Sequence, residues 1–172
     1  MERSCTMMIS SSRLLLKPID LEWGNELIIT TTVGENWPSN ALKSILPFYL
    51  ERLEKDEKEF GFGPWVVMDK SSGRIYGNIG FKGKADKNQQ VEIGYEIILE
   101  YRNKGIATEA VGLLCRWAFE HQIKKIIAIT LKDNKPSQQV LLKNEFEKAK
   151  QDNEIIYFRK INFQYKSVSF IN

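Results

Sequence analysis

The chain carries 172 residues, 27% of them charged and 42% hydrophobic, which is enough for one ordinary domain with a buried core. A formal net charge of +3 and a pI near 8.8 suit an anionic small molecule. Because the basic residues are scattered rather than striped, they exclude a nucleic-acid footprint. Two distant cysteines, Cys5 and Cys115, and one histidine, His121, supply no Cys/His cluster, so no metal is expected. Met1 to Ser10 lacks the apolar run of a signal peptide, and the longest apolar runs, such as Ile126-Ile127-Ala128-Ile129, are strand-sized. These features predict one domain over residues 1–172, reduced and cytoplasmic, without a membrane or nucleic-acid partner.

In chain order, Arg13 to Lys17 reads as a first strand stopped by Pro18. Asp20 can cap a helix running from Leu21 towards Thr30. Asn36-Trp37-Pro38-Ser39-Asn40 is a loop whose Ser39 or Asn40 caps a second helix, with a break or kink expected at Pro47. Gly61-Phe62-Gly63-Pro64 ends the helical part. Trp65 to Met68, Ile75 to Phe81 and Val91 to Leu99 follow as strands, with polar turns at Asp69 to Gly73 and Gly83 to Gln90. The helix from Ile106 to His121 keeps Ala107, Ala110, Val111, Leu114 and Ala118 on one face. Lys125 to Leu131 is a buried strand, Pro136 to Lys143 a helix, and Glu154 to Phe163 a final strand or strand pair. The order β-α-α-β-β-β-α-β-α-β predicts an antiparallel meander followed by a β-α-β crossover, an α+β fold with a mixed sheet.

The strand ending at Leu99 runs through Tyr101-Arg102-Asn103-Lys104-Gly105 into the helix at Ile106. The first amides of a helix lack internal partners and sit at the positive end of its dipole. Arg102 and Lys104 add charge, and Gly105 lets backbone approach an anion. This is a phosphate site, predicting a nucleotide-like or CoA-like cofactor. A dinucleotide fold would need more glycines, and a P-loop would need Lys after Gly, whereas Lys104 precedes Gly105.

Several motifs in order resemble the GNAT superfamily of N-acetyltransferases. Arg102-Asn103-Lys104-Gly105-Ile106-Ala107 matches the acetyl-CoA motif (Gln or Arg, two residues, Gly, one residue, Gly or Ala). Arg13-Leu14-Leu15-Leu16-Lys17-Pro18, Glu92-Ile93-Gly94-Tyr95, Ala107-Thr108-Glu109-Ala110, Asn134-Lys135-Pro136-Ser137 and Leu141 to Phe146 are similar to the branch that includes acetylases of ribosomal-protein N-termini. The resemblance implies a GNAT-like acyl-CoA N-acyltransferase fold, a mixed central sheet with helices on both faces. It implies acetyl-CoA as cosubstrate. Its phosphates would rest at Arg102, Asn103, Lys104, Gly105, Ile106, Ala107 and Thr108, and its arm would lie along Ile97, Ile98 and Leu99 with Asn134 opposite. Direct attack of a primary amine on the thioester follows, the amine belonging to a protein N-terminus or a small molecule.

Glu92 matches the glutamate that serves some members as base; the plainer reading is a solvated strand residue or ion-pair partner. Alternation sets Glu92, Gly94 and Glu96 on one face and Val91, Ile93, Tyr95 and Ile97 on the other. The tyrosine that protonates the leaving thiolate in many members falls here at Leu141. Ser137 is the substitute the resemblance implies, against a hydroxyl that merely bonds backbone, or proton donation by water. Glu145 replaces a usual glycine, which implies strain or another cap. Glu109 sits where it can brace the turn, and Trp37 can wall an acceptor pocket or pack. A monomer or homodimer is expected. The alternative function is an acyl-CoA-binding sensor or interaction module with little catalysis.

Overall fold

Alternation of apolar side chains decides which face each central strand turns to which helix. In β3 (Pro64–Asp69), Trp65 and Val67 enter one core, while Val66 enters a second core on the opposite face. The computed structural model describes residues 7–29 and 37–166, without the Lys166 side chain. Cys5, Thr30 and Asn36, named above, lie outside those residues.

Eight strands form one sheet in the order β1-β2-β3-β4-β5-β6-β8-β7. They are β1 (Ile9–Ser10), β2 (Leu14–Pro18), β3, β4 (Ile75–Phe81), β5 (Gln90–Ile97), β6 (Lys125–Leu131), β7 (Glu147–Gln151) and β8 (Ile155–Ile161). Neighbours pair antiparallel except β5 and β6, which the crossover helix α3 (Ile106–Glu120) joins in parallel. The expected meander and crossover are therefore present. α3 buries Ile106, Ala110, Val111, Leu114, Trp117 and Ala118 against Leu14, Trp65, Ile79 and Val91. α4 (Lys135–Lys143) joins this layer through Leu141. On the other face, α1 (Leu21–Ile29) and α2 (Asn40–Lys55) pack Leu27, Leu42, Leu46 and Tyr49 over Val66. A short helix α5 (Phe163–Lys166) follows β8. Among the described residues no helix is long and apolar enough to cross a membrane.

Two local outcomes differ from the sequence expectation, and a third meets it. Pro47 breaks nothing: α2 runs through it, and the proline is exposed, where water can meet the carbonyl its ring leaves unpaired. β1 and β7 were not foreseen. β7 is Glu-Lys-Ala-Lys-Gln with every residue exposed, an edge strand whose charge hides it from an alternation test. Third, Glu145 takes the left-handed conformation (φ 62°) that a glycine would supply. Its amide donates to the Leu142 carbonyl and that of Phe146 to Leu141, closing the helix as a glycine would. Lys160 steadies the strained residue from below, reaching the Asn144 carbonyl at 2.7 Å and Glu145 Oε2 at 3.2 Å.

Candidate active site

β5 ends at Ile97, and a short 3₁₀ turn over Leu99–Tyr101 delivers the chain to Arg102-Asn103-Lys104-Gly105. Asn103 (φ 60°) and Gly105 (φ 75°) are both left-handed. Gly105 is the cap of α3 and has no side chain to cover the helix end. The first helical bond runs from the Glu109 amide to the Gly105 carbonyl, so the amides of Ile106, Ala107 and Thr108 have no partner within the helix. That arrangement, at the positive end of the α3 dipole, suits a phosphate.

The turn is braced from far away in sequence. Arg13 donates from Nη2 to the Lys104 carbonyl (3.1 Å) and from Nε to Glu109 Oε2 (2.7 Å). The Ser11 hydroxyl donates to the other Glu109 oxygen. Glu109 is thus a brace. Arg102 Nε donates to the Ile97 carbonyl (2.8 Å), which ties the turn to the strand, while the side chain stays exposed. Lys104 lies over the Tyr101 ring.

Beyond the turn the sheet opens. β5 and β6 pair only from Gln90 with Lys125 to Glu92 with Ile127, although β5 continues to Ile97 and β6 to Leu131. The gap is a cleft of about 250 Å³ lined by Ile93, Gly94, Tyr95, Ile129, Leu131, Asn134, Ser137 and Leu141 among others. Ladder phase fixes what faces it. The Lys82 amide donates to the Glu92 carbonyl and the Ile98 amide to the Tyr76 carbonyl. Even-numbered residues therefore turn their backbone to β4, while Ile93, Tyr95 and Ile97 turn theirs to the cleft. Of the three residues expected along a cofactor arm, Ile97 faces the gap, Ile98 bonds β4, and Leu99 is 71% exposed in the 3₁₀ turn. The open edge thus lies further back along the strand than expected, over residues 93–97.

The first turn of α4 spans the two arms of the cleft. Gln138, buried, donates to the carbonyls of Leu131 (3.2 Å) and Lys132 (2.9 Å) at the end of β6. Ser137 meets Tyr95 of β5: their hydroxyls lie 2.9 Å apart, and the phenol also approaches the Ser137 carbonyl at 3.1 Å. Burial raises the Tyr95 pKa above its ordinary value of 10.0, so the phenol keeps its proton at neutral pH. Asn134 caps α4, its Oδ1 accepting from the Ser137 amide at 3.2 Å. Leu141, in the tyrosine position of the resembling family, is buried. Sequence reasoning assigned Tyr95 no role; its signals were its place in the Glu92-Ile93-Gly94-Tyr95 motif and on the same strand face as Ile93 and Ile97.

The opposite face carries Glu92, Gly94 and Glu96, as alternation required. Lys82 pairs with Glu92 Oε1. The Ser39 hydroxyl donates to Glu96 Oε2 at 2.6 Å while accepting from the Leu42 amide as the cap of α2. Trp37 is packed, at 3% exposure, and its Nε1 has no hydrogen-bond partner among the described residues. Cys115 is core, and burial pushes its thiol up to about 12, which removes it as a nucleophile. His121 ends α3, with Nδ1 2.7 Å from the Trp117 carbonyl and its ring stacked on Trp117, remote from any chemistry read above. Among the described residues no group of His, Cys, Asp and Glu is placed to hold a metal ion.

Comparison with known proteins agrees with this geometry. Residues 13–147 match the family model described as an acetyltransferase (GNAT) domain. The chain is 34% identical over 116 residues to the uncharacterized N-acetyltransferase YjdG of Bacillus subtilis (strain 168), covering 67% of this chain and 68% of that one. Its fold is similar to the ribosomal-protein-S5-alanine acetyltransferase of Vibrio fischeri, with TM-score 0.70, 24% identity, and coverage of 93% and 99% of the two chains. It is also similar to the microcin C7 self-immunity acetyltransferase MccE, solved in complex with acetyl-CoA and AMP, with TM-score 0.63, 18% identity, and coverage of 88% and 94%. The chain belongs to the GNAT acetyltransferases and is an acetyl-CoA-dependent acyltransferase.

Proposed function

We propose that this chain moves the acetyl group of acetyl-CoA to a primary amine by direct attack. The observation that carries the reading is the open β5/β6 cleft running into the uncapped start of α3. The amides of Ile106, Ala107 and Thr108, with Arg102, Asn103, Lys104 and Gly105, hold the phosphates. The backbone of Ile93, Tyr95 and Ile97, with Asn134 across the gap, holds the arm. Acetyl-CoA supplies an activated thioester; the protein's residues do the rest. Direct attack is supported by the lack of a suitable nucleophile among the described residues: Cys115 is buried, and the Ser137 hydroxyl has a phenol as neighbour rather than a base.

An alkyl amine has a pKa of roughly 10 and must lose a proton to attack. Glu92 takes that proton, from the last paired step of β5 at the closed end of the cleft. Ser137 offers a proton to the leaving sulfur, and Tyr95, its hydroxyl 2.9 Å from Oγ and bonded to the Ser137 carbonyl, fixes where the serine stands. The test is calorimetric titration of acetyl-CoA, followed by a screen of amines for CoA release. Micromolar binding that disappears in Gly105→Glu, with turnover of some amine, is the expected result. A folded protein that ignores acetyl-CoA would sink the assignment.

A further inference from the structure

The face of the cleft away from α4 has two unlike walls. On β5, Gly94 lies between Glu92 and Glu96, and a Cβ there would meet nothing within 4 Å among the described residues, which leave the space above it open. Glu96 has no ion-pair partner among the described residues; its contact is the neutral Ser39 hydroxyl. β4 sets Asn78 beside Glu96 in register, with Oδ1 buried and without a hydrogen-bond partner among the described residues. A carboxylate next to an unmet carbonyl oxygen calls for a donor that carries positive charge.

The other wall is apolar. Ile127 pairs with Glu92, so Ile129 and Leu131 of β6 share the face of Gly94 and Glu96. They are 41% and 56% exposed and line the same cleft as Gly94 and Ser137. β8 extends this wall with Tyr157 opposite Ile129 and Ile155 opposite Leu131.

We infer that the acceptor is a primary amine carried on an apolar or aromatic body. Glu96 and Asn78 hold the ammonium over Gly94, and Ile129, Leu131 and Tyr157 receive the body. This rests on the N-acetyltransferase reading above. A polyamine or an aminoglycoside would set further cations against the β6 wall and strip their water without a counter-charge.

The experiment titrates phenethylamine and spermidine into the CoA-loaded protein by calorimetry, then measures CoA release from acetyl-CoA with each. Phenethylamine should bind at least tenfold more tightly than spermidine and give at least a tenfold higher kcat/KM. Glu96→Gln and Asn78→Leu, both checked for an unchanged melting profile, should each weaken phenethylamine binding about tenfold. Leu131→Ser should narrow the preference for phenethylamine over methylamine. A preference for spermidine, no phenethylamine binding to the CoA-loaded protein, or full affinity in Glu96→Gln overturns the inference. So does a dimer in sedimentation that dissociates in Leu131→Lys, which assigns the wall to a second copy of the chain. Failure to bind acetyl-CoA at all removes the acetyltransferase site itself, whereas retained cofactor binding with the wrong amine preference removes only the acceptor class.

Discussion

On the proposed function, the two ends of the cleft recognise their ligands by different means. At the α3 end the groups on offer are backbone amides, shaped by two left-handed residues, Asn103 and Gly105, within one short run of chain. At the acceptor end they are side chains from β4, β5, β6, β8 and the cap of α2, which meet only in the folded sheet. Backbone recognition tolerates many side chains but few conformations. Side-chain recognition has the opposite tolerance, which lets one scaffold keep its cofactor and change its acceptor.

Breaking the backbone end should therefore do the most damage. Gly105→Glu places a side chain at φ 75°, with its Cβ 3.4 Å from Arg13 Nη2 and a negative charge at the phosphate site. Acetyl-CoA affinity should fall at least 100-fold by calorimetry, whereas the strain of a side chain at positive φ, about 1 kcal/mol, should lower the melting temperature by only about 2–4 °C. Glu92→Gln should lower kcat by about 100-fold, the lower range for a lost general base, with the acetyl-CoA Kd preserved. A kcat within twofold of the parent would remove Glu92 as base. Ser137→Ala should lower kcat by about tenfold, and Tyr95→Phe by a similar factor. Because Tyr95 acts through Ser137, the double variant should be no slower than Ser137→Ala alone; additive losses would separate the two residues.

Smaller effects sharpen the comparison. Arg13→Ala removes the brace on Lys104 and Glu109, so acetyl-CoA affinity should drop a few-fold. The stability lost should stay under about 1 kcal/mol, because the Arg13 side chain is 48% exposed and the pair is screened by water. The turn after β3 tests stability rather than recognition. There the Ser72 amide and hydroxyl and the Tyr76 hydroxyl hold the Asp69 carboxyl at about 2, below its ordinary 3.8. A depressed carboxyl stabilises the fold above its unfolded pKa and loses that contribution as pH falls through the folded one. Urea midpoints of the parent should exceed those of Asp69→Asn at neutral pH and converge with them between about pH 4 and 2.

Much of the fold was legible because its signals are local. Alternation in Val91 to Ile97 assigned both strand faces correctly, and the 3.6-residue stripe from Ile106 marked the buried side of α3. β7 escaped because an exposed charged edge has no apolar rhythm. Pro47 misled because a proline costs a helix less when its ring and the orphaned carbonyl face water. Glu145 shows tertiary support overriding local strain: its left-handed backbone is held by helix-end hydrogen bonds and Lys160.

The sequence by itself determined the order of the central strands and helices, the family and the turn proposed to bind the anion, since caps, periodicity and a glycine between strand and helix are properties of neighbouring residues. Only the tertiary structure decided what surrounds that turn. Ser11 and Arg13 reach Glu109 across 98 and 96 positions, Ser39 reaches Glu96 across 57, and Tyr95 reaches Ser137 across 42. Those meetings depend on strand order, on the crossover through α3 and on where β5 and β6 stop pairing. No spacing rule carries such distances, because the chain between the partners is free to take any length that the sheet can close.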